Sequence, residues 1–173
     1  PYTVYDMTHV ESLAHQFKDD GYDTVAIHPT LATNWNRANV YPQLGFDEFY
    51  DIDDFADAET LRNHVTDEAT YDKIVELVNQ SDDPQFILDV TMQNHGGYTT
   101  HMLPHDIMTD YSIPSVDTST LNEYLTCIKV SDEALEKLIG QLKVMDKPVA
   151  LVFFGDHQPN MGGSINDYMF PNE

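Results

Sequence analysis

The stretch VALVFFGDHQP, residues 149–159, sets six apolar side chains, Val149-Ala150-Leu151-Val152-Phe153-Phe154, directly against Gly155-Asp156-His157. An unbroken apolar run of this length, introduced by Lys147-Pro148, predicts a strand covered on both faces, as in a parallel sheet. Gly155 lets the backbone turn sharply, which leaves Asp156 and His157 at the strand's carboxyl end. In open α/β sheets that edge is where ligands bind.

Two more strands are expected. Thr24 to His28 (TVAIH) forms one. QFILDVTM, opened by the Asp82-Asp83-Pro84 turn, forms another. Helices alternate with them. Thr8 and Glu11 are spaced as a capping box for a helix through Leu13, Ala14 and Phe17 that Gly21 closes. Asp67 caps a helix from Tyr71 to Val78, with Ile74, Leu77 and Val78 on one face. A longer helix runs from Ser119 to Leu142, with Leu121, Leu125, Ile128, Leu135, Leu138, Ile139 and Leu142 at core spacing. WNRANVYPQLGF (residues 35–46) reads as a loop with one helical turn, and Asp47 to Asp57 as exposed acidic loop. Helix–strand alternation of this kind predicts a layered α/β sheet.

Composition narrows the function. The chain has 173 residues and a formal net charge of −22, from 30 acids against 8 Lys and Arg. Nucleic-acid binding needs a basic stripe to displace counterions, so that class is excluded. No apolar run approaches the ~20 residues of a membrane span. The single cysteine, Cys127, rules out an internal disulfide and lies in a helical apolar pattern, the setting of a buried, inert thiol. The opening Pro1-Tyr2-Thr3-Val4-Tyr5 reads as the middle of a longer protein.

Each expected strand ends at or near a histidine: His28, His95 and His157. One strand-end histidine is ordinarily structural. Three, carried to one rim by parallel strands, point to a site. Asp156 and His157 pair an oxygen with an imidazole donor, a set suited to Zn²⁺ or Mn²⁺, but two adjacent ligands leave the coordination shell incomplete. His101 and His105 make a poor ligand pair, because Pro104 breaks the helix that would align them. Beside His28, Arg37 offers a planar fork for phosphate or sulfate and Trp35 a wall for a small polar substrate. The plainer alternative is a surface arginine and a packed tryptophan.

The motifs GDHQP (155–159), TMQNHGGY (91–98), AIHP with WNR (26–37), LGFDEFY (44–50) and NEYLTCIKVSDEALEKLI (122–139) together resemble the lipoteichoic acid synthase family, within the alkaline phosphatase/sulfatase superfamily. The resemblance implies a layered α/β/α sheet, with residues 1–173 forming the C-terminal portion of a sulfatase-like catalytic domain. It implies an enzyme that transfers or hydrolyses phosphoglycerol-type groups on an anionic lipid or polymer. The parent would be anchored by upstream membrane helices and would work at the extracellular face of a bacterial membrane. Asp156 and His157 would be metal ligands, for Mn²⁺ or else Zn²⁺ or Mg²⁺; His28, Trp35, Arg37 and His95 would hold the phosphoglycerol group. The family's glutamate ligand and threonine nucleophile lie upstream of its GYDTVAIHP motif, so neither is expected here and the chain alone is expected inactive. HPTLATNWNR also lacks an acidic residue between His28 and Trp35, which leaves the headgroup open. A sulfatase or phosphoethanolamine transferase is the nearest alternative, and a non-catalytic cell-surface binding domain the alternative from another class. An exposed sheet edge is expected to promote self-association.

Overall fold

Asp23–Ile27 forms β1, the centre of a three-stranded parallel sheet, flanked by β2 (Glu48–Tyr50) and β5 (Gln85–Asp89) in the order β2-β1-β5. This is a computed structural model, and it describes residues 4–99, 101–161, 165, 167 and 168. The register pairs Val25 with Glu48 and with Ile87, and Ile27 with Tyr50 and with Asp89, so all three strands run to the same end.

Alternation along β1 explains why the sheet is covered on both faces. Val25 and Ile27 point to one side and pack with Phe55, Val65 and Leu77; Ala26 points to the other and packs with Ala14, Tyr41 and Phe46. Ala14 belongs to α1 (Leu13–Asp19) and Tyr41 to α2 (Arg37–Gln43), whereas Leu77 belongs to α3 (Asp67–Gln80). The result is the expected three-layer sandwich. Ile27, wholly buried, contributes about 1.5–3 kcal/mol by removal from water. Close packing shows at Gly45 (φ +95°), where a Cβ would lie 2.8 Å from the His15 backbone nitrogen. Only glycine suits both the dihedral and the space.

Several boundaries differ from expectation for identifiable reasons. α1 starts later, because the Ser12 side chain accepts from the His15 N–H and caps the helix there, in place of Thr8. α3 begins at Asp67 itself, with Thr66 as cap. The 35–46 segment holds two helical turns, and the stretch expected to be acidic loop contains β2 and a buried Phe55. A two-residue hairpin, β3 (Thr60–Leu61) and β4 (His64–Val65), follows; its central residues Arg62 and Asn63 have φ of 54° and 64°, the signs a type I′ turn requires.

The chain divides into two compact units. The first comprises the described residues up to Thr60 together with His64–Met92; the second comprises Leu61–Asn63 and the described residues from Gln93 onward. The second unit is built on α4 (Ser119–Lys143). Leu121 of α4 joins Tyr98, Met161 and Ile165 in an apolar cluster. The buried face of α4 is more polar than its leucine spacing suggested. It includes Glu123, Thr126, Cys127 and Ser131, while Ile128, expected in the core, is exposed. Cys127 is buried, as its pattern implied.

The largest departure is Val149–Phe154. It forms no strand, and Val152, Phe153 and Phe154 are 79%, 66% and 67% exposed. An apolar run states a demand for burial but does not supply the neighbouring strand whose ladder would make it a sheet member.

Candidate functional site

In the first unit, β1 delivers His28. Its N–H donates to Tyr50 O at 2.9 Å, and Val90 N–H donates to Ile27 O at 2.9 Å, so main chain from both flanking strands fixes this end of β1. The His28 ring is buried, with Nδ1 2.6 Å from Val90 O. A carbonyl only accepts, so Nδ1 carries a proton and the bond to Val90 O fixes the plane of the ring. The loop that follows holds Trp35 and Asn36 at φ 55° and 58°, left-handed values that are uncommon away from glycine. Trp35 is 65% exposed, so it is not the packed tryptophan of the plainer reading. Arg37 opens α2 and is half-buried, and its Nη1 donates to Asn34 O at 3.3 Å. That bond draws the guanidinium back onto its own loop.

In the second unit, His95 and His157 come together. Their rings are 6.5 Å apart and nearly perpendicular. Asp156 and His157 are exposed and in irregular chain, not at the end of a buried strand as expected. They remain adjacent: the Asp156 carboxylate accepts from the His157 N–H at 2.9 Å and lies 3.6 Å from Nε2. His157 Nδ1 is 2.9 Å from Gln158 O and donates to it, so main chain holds the ring with Nε2 turned toward the Asp156 carboxylate. A backbone carbonyl fixing the distal nitrogen is a common arrangement for a metal-ligating histidine. The donor set therefore fits a divalent ion, but only as part of a shell. Among the described residues, no three His, Cys, Asp or Glu side chains are gathered to hold one.

Two buried ionic features were not read from the sequence. Asp89, at the end of β5, keeps both carboxylate oxygens away from solvent, and neither accepts a hydrogen bond of normal geometry among the described residues. Burial pushes its carboxyl up to about 7; Thr70 opposes this, and the Asp67 carboxylate adds to it. Burial is the stronger influence, since the Thr70 hydroxyl donates to Asp67 O at 3.0 Å. The second feature is Arg62, ion-paired with Glu123 at 2.9 Å, their side chains only 1% and 2% exposed. In sequence, TLRNHV carries no sign of a buried arginine. A glutamate within the apolar spacing of α4 was the available signal.

The sulfatase family model matches residues 1–171. A putative cyclic beta-1,2-glucan modification protein of Rhizobium meliloti is 32% identical over 160 residues, covering 92% of this chain and 25% of that protein. A lipoteichoic acid synthase of Staphylococcus saprophyticus is 26% identical over 81% of this chain and 22% of its own length. Among solved structures, the Streptococcus pyogenes phosphoglycerol transferase GacH, in complex with sn-glycerol-1-phosphate, superposes with a TM-score of 0.69. It is 28% identical over 88% of this chain and 40% of GacH. The chain thus spans about a quarter of the length of these two curated relatives. It belongs to the sulfatase family, with the layered α/β fold of the alkaline phosphatase superfamily.

Proposed function

We propose that this sulfatase-family chain forms part of an enzyme that transfers or hydrolyses phosphoglycerol-type groups on an anionic lipid or polymer at the outer face of a bacterial membrane. The observation that carries this reading is the likeness to a transferase solved with sn-glycerol-1-phosphate. It is supported by the placement of the residues expected to hold the headgroup: His28 directly after β1, Trp35 in the turn that follows, Arg37 at the start of α2, and His95 in the loop after β5.

The chemistry then divides among side chains by what each can do. Arg37, released from Asn34 O, presents a fork to two phosphate oxygens and offsets the charge that builds on them in the transition state. His28, its ring held by Val90 O, hydrogen-bonds the glycerol part of the group. Trp35 covers one side of the group and excludes water from it. His95 contributes a further hydrogen bond to the headgroup. Asp156 and His157 would hold a divalent ion, Mn²⁺ first, or Zn²⁺ or Mg²⁺. Bound there, it supplies Lewis acidity toward a phosphate oxygen and an activated hydroxyl. The nucleophile and remaining ligands come from a portion of the catalytic domain outside these 173 residues, a reading supported by the quarter-length coverage of the relatives.

Anchoring of the parent is proposed to lie outside this chain too. No helix among the described residues is long and apolar enough to cross a membrane. Exposed Val152, Phe153 and Phe154 support the proposal that the isolated chain self-associates.

The test is turnover by the intact protein on vesicles bearing a phosphoglycerol headgroup, beside an aryl sulfate. Release or transfer of glycerol phosphate, lost in Arg37→Ala, supports the assignment. Turnover of the sulfate ester alone would overturn it.

A further inference from the structure

The buried Arg62 guanidinium engages partners through Nε and both terminal nitrogens. Its Nε donates to Glu123 Oε1 at 2.9 Å. Nη2 donates to Gly97 O at 2.8 Å and to His95 O at 3.4 Å, and Nη1 to the carbonyls of Gln93 and His95, each at 3.4 Å. The guanidinium also lies 5.0 Å from the centre of the Tyr98 ring. Glu123 completes the clamp from α4 through Oε2, which accepts from the His101 N–H at 3.2 Å. Three alternate carbonyls of one loop thus converge on a single planar cation. That loop is Gln93-Asn94-His95-Gly96-Gly97-Tyr98, and it carries His95.

Stability alone is a poor account of this arrangement. A buried ion pair is often replaceable by apolar side chains at no cost, because desolvation offsets the attraction. The backbone of Arg62 is also in the left-handed region, a conformation kept where the surroundings over-determine it. Other bonds hold the two ends of the loop, Gln93 and Asn94 donating to Ser131 Oγ and the Tyr98 hydroxyl to Asn94 O, but between them Gly96 and Gly97 (φ +96°) leave the chain beside His95 free to turn unless Arg62 holds its carbonyls.

We infer that Arg62, oriented by Glu123, is the positioning residue for His95: it fixes the main chain on both sides of that histidine and so sets where the imidazole is presented. This rests on the reading that His95 holds the phosphoglycerol group. Lysine at position 62 keeps the charge beside Glu123 but has no fork with which to reach three carbonyls.

The test is a calorimetric titration of the intact protein with sn-glycerol-1-phosphate, using Arg62→Lys, His95→Ala and the double variant, with Tm measured for each. His95→Ala is expected to weaken binding about tenfold, the loss of one charge-assisted hydrogen bond. Arg62→Lys should weaken it about fivefold, yet change it less than about twofold in the His95→Ala background, because its effect passes through His95. If Arg62→Lys does not fold, Glu123→Gln is put through the same cycle with the same expectation. Wild-type affinity in the position-62 variant beside a weakened His95→Ala overturns the inference. So does an equal loss in both backgrounds, which marks a general structural role. Wild-type affinity in His95→Ala instead removes the role assigned to His95, and the inference with it.

Discussion

Replacing Asp89 by asparagine tests the buried carboxylate at the end of β5. Asp89 holds its proton up to about 7 in the folded chain, against 3.8 for an ordinary aspartate. Between those values the folded state binds more protons than the unfolded state, so stability falls as pH rises. The contribution is fully present below about pH 4 and is lost as pH passes through about 7. A difference of about three pKa units corresponds to roughly 4 kcal/mol across that window. The side-chain amide of the Asp89→Asn variant never ionises, so the variant is spared this loss. It also buries an amide at a cost of about 1–3 kcal/mol, which is the same at every pH. The readout is therefore the pH dependence of the difference between the proteins, not its level. Urea unfolding followed by circular dichroism at about pH 4.5, 6 and 8 measures it. Asp89→Asn should gain on the native protein by several kcal/mol from the lowest pH to the highest. A difference that stays flat would mean instead that Asp89 is ionised and satisfied in the folded state.

Gly45→Ala should cost roughly 2–4 kcal/mol, because the left-handed backbone and the His15 contact both resist a Cβ; thermal unfolding checks it, and a loss below about 0.5 kcal/mol contradicts the packing described. Arg37→Ala should lower kcat/KM about 30- to 1000-fold, with Arg37→Lys recovering only part; equal activity of Lys and Arg would exclude a bidentate role. Phe153→Ser with Phe154→Ser should shift the isolated chain toward monomer in sedimentation velocity, whereas an unchanged distribution would remove this stretch from any self-association. Asp156→Ala or His157→Ala in the intact protein should abolish Mn²⁺-dependent turnover with the fold intact by circular dichroism; near-native Mn²⁺-dependent turnover in His157→Ala rules out its role as ligand.

Local signals served best where an element's identity is local. β1 and β5 were legible because an apolar run ends in polar residues and a Pro-containing turn precedes β5. α3 and α4 were legible because their spacing holds over many residues. β2 was missed because three residues inside an acidic segment carry almost no periodic signal, and only the parallel ladder to β1 makes them a strand. Val149–Phe154 failed in the opposite sense: its composition is that of a central strand, yet pairing is non-local and nothing in the stretch provides it. The site shows the same division. His28 was placed by the strand that ends at Ile27, and His95 and His157 do come into contact. Arg62 was missed because its burial depends on Glu123, 61 residues away, and on three carbonyls that any sequence could have supplied.

If residues of this chain receive a phosphoglycerol group, their imidazoles sense it. Imidazole NMR of the intact protein, titrated with sn-glycerol-1-phosphate and in parallel with glycerol, reads this out residue by residue. Saturable shifts at His28 and His95, with His9, His15 and His64 unmoved and no response to glycerol, are the expected result. Shifts absent from both His28 and His95 at saturating ligand would mean that neither residue holds the phosphoglycerol group.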